Sequence, residues 1–211
     1  MNKNNKTIKT YLIIKRIMDI LFSLMILVPL LIIIIIIKII YLLSGDSKTS
    51  IYNQERIGKD GHKFDIYKFR TMTPDADEQL SKLLENSDNQ KEWEEYHKFK
   101  DDPRVTSIGL FLRRSSIDEF PQFINVLKGD MSIIGPRPLI EGELEMHNGD
   151  KKYWRVKPGI TGWWACNGRS NMKYEERLEY EYYYVDNISF GLDVKIFFKT
   201  IESILKKIGS Y

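Results

Sequence analysis

The strongest constraint in this chain is an uncharged run from Ile20 to Ile37, ILFSLMILVPLLIIIIII. About 17–25 apolar residues in helical form cross the hydrocarbon core of a bilayer. A segment with no polar face is poor material for a water-facing helix, so this one must be covered by lipid or by protein. Basic residues stand on both sides: Lys3, Lys6, Lys9, Lys15 and Arg16 before it, and Lys38, Lys48, Arg56 and Lys59 after it. Charge therefore selects no orientation, and this balance is what is expected if both ends stay cytoplasmic. Pro29 lies mid-run, where it removes one backbone hydrogen bond and favours a kink. The run predicts a Pro-kinked reentrant helix dipping into one leaflet, with a tilted, kinked span as the alternative. A signal peptide fits less well, because no small-residue cleavage site follows and Lys38 leads into further apolar residues. Lys15, Arg16, Asp19 and Pro29 are the expected membrane-anchor residues, with Asp19 paired to Lys15 or Arg16 or simply interfacial.

The 211 residues then divide into a basic N-terminus with a membrane-inserted helix, 1–44, and a cytoplasmic domain, 45–211. Lys plus Arg (32) against Asp plus Glu (29) gives +3, too balanced for a nucleic-acid partner. The single Cys166 forbids a disulfide within the chain, and with three His it makes zinc unexpected.

Beyond the polar linker Ser44–Ser50, Lys59-Asp60-Gly61 marks a turn between an IYNQERIG segment and an alternating FDIYKF strand. Arg56, Lys68 and Arg70 could face a phosphate there, although alternation alone reads as a solvated strand face. Thr73 to Lys100 reads as helix broken around Asn86–Asn89, beginning at Thr73-Pro74-Asp75 with Pro at the first helical position.

The chemistry is concentrated in Asp101–Leu139, DDPRVTSIGLFLRRSSIDEFPQFINVLKGDMSIIGPRPL. Arg104, Arg113 and Arg114 suit a phosphate, because a guanidinium donates two parallel hydrogen bonds. The acid pair Asp118-Glu119 among them makes sense as a nucleophile or a grip on a divalent metal, and phosphoryl transfer needs both kinds of group. The competing reading is a capping box, Ser116-Ile117-Asp118-Glu119, that merely starts the helix IDEFPQFINVL. Pro121 weakens it, since that cap would put Pro inside the helix. Gly135-Pro136-Arg137-Pro138 cannot be regular structure and should present Arg137 from a rigid turn. Further on, Trp154, Trp163, Trp164 and Tyr180, Tyr182, Tyr183, Tyr184 fit an interfacial aromatic belt or ordinary packing equally well. Asn167-Gly168 signals a turn. Leu192–Lys207 is an amphipathic helix with Ile196, Phe197, Ile201, Ile204, Leu205 and Ile208 on its apolar face, for membrane surface or plain packing.

Taken together these segments resemble the bacterial sugar transferase family, the small monotopic phosphoglycosyl transferases that begin surface-glycan assembly. The likeness runs from Lys15-Arg16-x-x-Asp19 through ERIGKDGHKFDIYKFRTM and the central stretch to KPGITGW and the DVKIFFKTI tail, and so covers nearly all of the chain. It implies an α/β, mainly helical catalytic domain on a reentrant membrane helix, with amphipathic surface helices. It implies transfer of a sugar phosphate from a UDP-sugar to undecaprenyl phosphate at the inner leaflet, with Mg²⁺ and release of UMP. By the resemblance Asp118 is the nucleophile of a covalent phosphosugar intermediate, Glu119 assists, and both meet Mg²⁺. Arg113 and Arg137 bind phosphate, with Pro136 and Pro138 shaping a nucleotide-associated turn and Arg70 and Arg104 as further substrate-binding residues. The reading leaves room for a homodimer and for downstream glycosyltransferases as partners. Departures are Val28 before Pro29, Gly162-Trp-Trp-Ala-Cys-Asn-Gly-Arg169 without the family's Gln, and Glu181 where Asp is expected. The rival expectation from another class is a catalytically inactive membrane scaffold.

Overall fold

The computed structural model describes residues 3–46, 48–96, 99, 101–167 and 174–206. Gly168 and Arg169 of the Trp-rich loop, Lys100, and Lys207 and Ile208 of the C-terminal helix lie outside the described residues.

The apolar run forms one helix, α1 (Lys3–Leu43), that continues through Pro29. Its stretch Ile8–Leu43 is long and apolar enough to cross a membrane, with only 17% of its most apolar window buried in protein. The buried positions form one stripe, Asp19, Ser23, Leu30, Ile37 and Tyr41, at steps of four and seven residues. Most of the other large apolar side chains are exposed, from Ile13 and Met25 to Val28 and Leu43. Water would not tolerate a continuous apolar face of that extent.

Both ends of the stripe are fastened to the same globular part. Near the N-terminus, Lys15 and the Tyr11 hydroxyl bond Asp193. Arg16 donates to the carbonyls of Val126 and Leu127, the latter at 3.0 Å, and Asp19 accepts from the Ile133 amide at 3.0 Å. Near the C-terminus, the Tyr41 hydroxyl bonds the Arg70 carbonyl. Asp19 therefore pairs with neither Lys15 nor Arg16, and the three charged residues among the four expected anchors bind the helix to its own domain. The ionic groups find fixed protein partners there, which removes the need to hydrate them at the lipid boundary.

The domain is mostly helical with two small sheets. An antiparallel hairpin joins β1 (Ile51–Ile57) to β2 (Lys63–Phe69), with Lys68 opposite Tyr52 and Phe64 opposite Arg56. Its turn is the expected one: Asp60 and Gly61 have φ of 57° and 79°. α2 (Ala76–Leu83) and α3 (Ser87–Tyr96) follow, broken where Asn86 suggests, but α2 starts two residues after Pro74. Next come α4 (Ser107–Arg114), a 3₁₀ turn (Ile117–Glu119) and α5 (Gln122–Lys128), the last ended by Gly129 at φ 97°. β3 (Ser132–Ile134) pairs in parallel with β4 (Gly159–Thr161), and between them lies the short α6 (Glu143–Met146). α7 (Tyr174–Asp186) and α8 (Phe190–Leu205) close the described chain.

One core cluster joins the stripe of α1 to the domain: Leu30, Ile37 and Tyr41 meet Phe69 and Leu112, with Ile117 and Phe120 packed against them. Each fully buried apolar side chain of this kind stabilises by roughly 1.5–3 kcal/mol. Of the aromatics, Tyr184 is core, its hydroxyl 2.8 Å from Asp193 Oδ1, and Trp154 and Tyr182 pack on a core cluster. α8 buries Ile196 and leaves Phe198, Ile201, Ile204 and Leu205 exposed, so the amphipathic helix presents an apolar face outward as well as inward.

Candidate active site

Local sequence explains how the acid pair is presented. The Thr106 side chain caps α4 by accepting from the Gly109 amide at 2.9 Å. Gly109 is needed for close packing: a Cβ there would sit 1.9 Å from the Thr71 carbonyl oxygen. That approach lets Arg113, one turn on, donate from Nε to Thr71 Oγ1 at 3.0 Å. α4 ends at Arg114, and Ser116 turns the chain with φ 56°, a left-handed conformation that costs a non-glycine residue some energy. Its side chain makes no capping bond, so the capping-box reading fails. Asp118 and Glu119 instead occupy a single 3₁₀ turn, and α5 begins only after Pro121, which is tolerated at a helix start.

Around this turn the charges are mixed. Lys68 Nζ, on β2, lies 3.1 Å from Glu119 Oε1. Burial, and then the neighbouring Glu119 charge, push the Asp118 carboxyl up to about 6, against the opposing pull of Lys68 and Arg113. Two adjacent carboxylates held together at the edge of an apolar cluster are costly for the fold, and such frustrated groups mark functional sites. Their flanking residues Ile117 and Phe120 pack against the α1 cluster, so the acids sit beside the C-terminal half of the apolar helix.

Arg137 is presented by a second arrangement. Gly135 is squeezed between strands, where a Cβ would lie 2.4 Å from the Lys157 carbonyl oxygen. The Pro136 carbonyl accepts from Gly159 at 2.8 Å, and the Pro138 carbonyl from Arg56 Nη1 at 3.2 Å. The peptide groups of Arg137 are pinned on both sides: its N–H donates to Glu181 Oε1 (3.0 Å), and its carbonyl accepts from the Tyr153 hydroxyl (2.8 Å). Its guanidinium lies over the Trp164 ring, 5.5 Å from the centroid. Glu181 is fully buried, and burial pushes its carboxyl up to about 8.

Two of the expected substrate-binding arginines have internal partners. Arg104 is 4% exposed, grips both oxygens of Asp102 (2.9 and 2.7 Å), and lies near the Trp93 and Phe99 rings. Arg70 donates to Asp46 Oδ2 (2.6 Å) and to the Thr49 carbonyl (2.9 Å), and packs on Tyr41. Their donors are engaged in tying loops to the core, which leaves little for a ligand. Lys68, a phosphate candidate whose alternation alone reads as a solvated strand face, lies beside the acid pair. Nothing local in the sequence could show that, because its partner is 51 residues away.

Among the described residues no group of three or more His, Cys, Asp or Glu forms a metal cluster. Mg²⁺ does not require one, since it is commonly held by one or two carboxylates with waters and substrate phosphates completing the octahedron. The hard oxygen donors of Asp118 and Glu119 fit that pattern.

A long, mostly exposed apolar helix with a charged, partly buried acid pair packed beside it is the layout of a membrane-associated protein. The chain belongs to the bacterial sugar transferase family, whose model matches residues 10–207. It is 45% identical over 175 residues to a UDP-galactose-lipid carrier transferase of Erwinia amylovora, covering 82% of this chain and 37% of that protein. It is 40% identical over 214 residues to an undecaprenyl-phosphate galactose phosphotransferase of Salmonella typhimurium, covering 99% and 44%. It is 38% identical over 199 residues to the exopolysaccharide production protein ExoY of Sinorhizobium fredii, covering 93% and 88%. The chain thus spans less than half of the first two relatives and most of the third.

Proposed function

We propose that the protein transfers a sugar phosphate from a UDP-sugar to undecaprenyl phosphate, releasing UMP, as the first membrane step of a capsule or exopolysaccharide. The observation that carries this is the Asp118-Glu119 turn, flanked by Lys68 and Arg113 and packed against the apolar helix. The names of the Erwinia and Salmonella relatives support the same reaction class, and that of the Sinorhizobium relative supports exopolysaccharide production.

In this reading an Asp118 carboxylate oxygen attacks the sugar-bearing phosphorus, and the bond from that phosphorus to the bridging oxygen breaks. UMP leaves, and an acyl-phosphate sugar remains on Asp118. The lipid phosphate oxygen then attacks the same phosphorus, the bond to Asp118 breaks, and the carboxylate is restored. Splitting one displacement into two means that nucleotide and lipid need not share the site at one time. Lys68 and Arg113 stabilise charge on the phosphoryl oxygens, and Glu119 assists. Mg²⁺, held by Asp118 and Glu119, would supply further charge neutralisation and orientation of the diphosphate. Arg137 is assigned to the nucleotide side.

The membrane reading is a reentrant helix on the inner leaflet. A straight span would part the two ends of α1 by about 30 Å of hydrocarbon. Here Lys15 and Arg16 at one end and Tyr41 at the other bond the same charged domain, which supports both ends lying on one side. The aqueous face of the inner leaflet is where both substrates meet.

The test is UMP release from a panel of UDP-sugars by detergent-solubilised protein with undecaprenyl phosphate and Mg²⁺. Lipid-dependent UMP, lost with chelator and absent in Asp118→Asn, is the expected result. A folded protein that releases none from any sugar would overturn the reading and favour a scaffold.

A further inference from the structure

Buried polar atoms without a partner are uncommon in native proteins, and each costs about 1–3 kcal/mol. Among the described residues they are Ser23 Oγ, Arg56 Nε, Gln122 Nε2, Ser132 Oγ, Arg137 Nε, Arg177 Nε and Glu181 Oε2. Four of these seven belong to one place, the surroundings of the Gly-Pro-Arg-Pro turn. Arg56, from β1, reaches the Pro138 carbonyl, and the charges of Arg137 and Arg177 help burial hold its guanidinium down to about 10. Arg177, from α7, is paired to Glu143 at 3.0 Å with both side chains mostly buried. Glu181 lies below, fully buried and bonded to the Arg137 amide.

We propose that Arg56, Arg137 and Arg177 form a receptor for a phosphate monoester dianion, with Glu143 as the carboxylate that holds Arg177 until the anion arrives. Three guanidinium groups gathered from three distant elements repel one another, and the single charge of Glu143, paired to Arg177 and felt by Arg56, offsets only part of this. With Glu181 neutral, the cluster carries an excess near +2, which a phosphate monoester of about −1.5 to −2 would balance. Planar guanidinium forks match phosphate geometry. The receptor adjoins the acid pair without sharing its residues: Glu119 meets the hairpin at Lys68, opposite Tyr52, whereas the Arg56 backbone lies four residues further along β1, about 13 Å at strand rise. Family likeness had suggested Arg137 alone at this turn; Arg56 and Arg177 are the additions. The proposal rests on the transferase reading only for the identity of the anion. In that reaction both the departing UMP and the arriving lipid phosphate are phosphate monoesters.

The experiment measures binding of UMP, uridine and farnesyl phosphate to the full-length protein in detergent, for wild type, Arg56→Gln, Arg177→Gln and Glu143→Gln, with thermal unfolding as a check on folding. Arg177→Gln and Arg56→Gln should weaken one phosphate monoester tenfold or more and leave uridine unchanged. Glu143→Gln should tighten the same ligand severalfold, because it frees Arg177 while its amide oxygen still accepts from the Ile140 amide. Loss of fold cannot mimic that gain. If UMP responds, the receptor holds the nucleotide; if farnesyl phosphate responds, it holds the lipid head. Folded variants that bind both ligands as wild type does, or a wild type that binds neither, would overturn the receptor. Lipid-dependent UMP release by wild type is scored separately. Turnover with no response in the variants removes the receptor alone, and a variant response without turnover from any UDP-sugar removes the transferase reading alone.

Discussion

Asp102–Arg104 and Asp118–Arg113 contain the same residue types within one stretch of sequence, yet they are opposite kinds of site. At the first, Arg104 meets both oxygens of Asp102 and aromatic rings lie close by, so the charges are neutralised in fixed geometry. Burial raises the Asp102 carboxyl, but the hydrogen bonds from Arg104 outweigh it and hold it below the usual range. At the second, Asp118 has a carboxylate for a neighbour and burial raises it, and the attraction of Lys68 and Arg113 does not compensate. The first pair is neutralised in place, and the proposed function puts reactivity at the second.

The largest effect expected is on turnover. Asp118→Asn should lower it by about 10³–10⁶-fold, as for loss of a covalent nucleophile. The same variant should unfold at a higher temperature at neutral pH, because it removes a disfavoured charge. A lower melting temperature would mean that the acid pair stabilises the turn after all. The reverse pattern is expected for Asp102→Asn, which leaves Arg104 buried and unpaired. It should cost about 3–5 kcal/mol in denaturant unfolding, with little change in activity per folded molecule. Activity lost with stability intact would return Arg104 to the substrate.

Acid should separate the two sites further. Asp118 must be ionised to attack, so the rate should fall about tenfold per pH unit below about 6, and Lys68→Met should move that limb upward. The stability signs differ. A carboxyl raised by folding disfavours the folded state above its folded value, so acidification from pH 7 to 4 relieves strain at Asp118. A carboxyl lowered by folding loses its contribution as pH drops through and below the usual carboxylate range, so Asp102 contributes to unfolding only in stronger acid. The smallest effect is for the exposed pair Lys82–Glu78, a 2.8 Å contact one helical turn apart. Lys82→Ala should shift the melting temperature by no more than about 2 °C.

Much of this contrast could not be read from sequence. Asp118, Glu119, Arg113 and Arg137 were identifiable because they lie in a dense local pattern with its own chemistry. Arg104 looked equivalent to Arg113, since linear order does not reveal that Asp102 two residues earlier turns back to satisfy it. Lys68 was legible only as one side of an alternating strand. Arg177 showed no signal, because its meaning comes from Arg56 and Arg137, which α7 meets only in three dimensions. The hairpin turn at Asp60-Gly61 and the break at Asn86 were plain from local chemistry. The start of α2 was not, nor was the left-handed Ser116 that displaced the capping box. The apolar run announced its helix but not the stripe through Asp19, Leu30 and Tyr41, since Ile and Leu serve protein and lipid alike.

That stripe also orders events during synthesis. The helix is translated first, yet Tyr11 waits for Asp193, a partner 182 residues later. At about 5–20 residues per second the ribosome needs roughly 10–40 s to deliver it. On the membrane reading, lipid shelters the helix through that interval, and insertion precedes the folding of the domain that finally grips it.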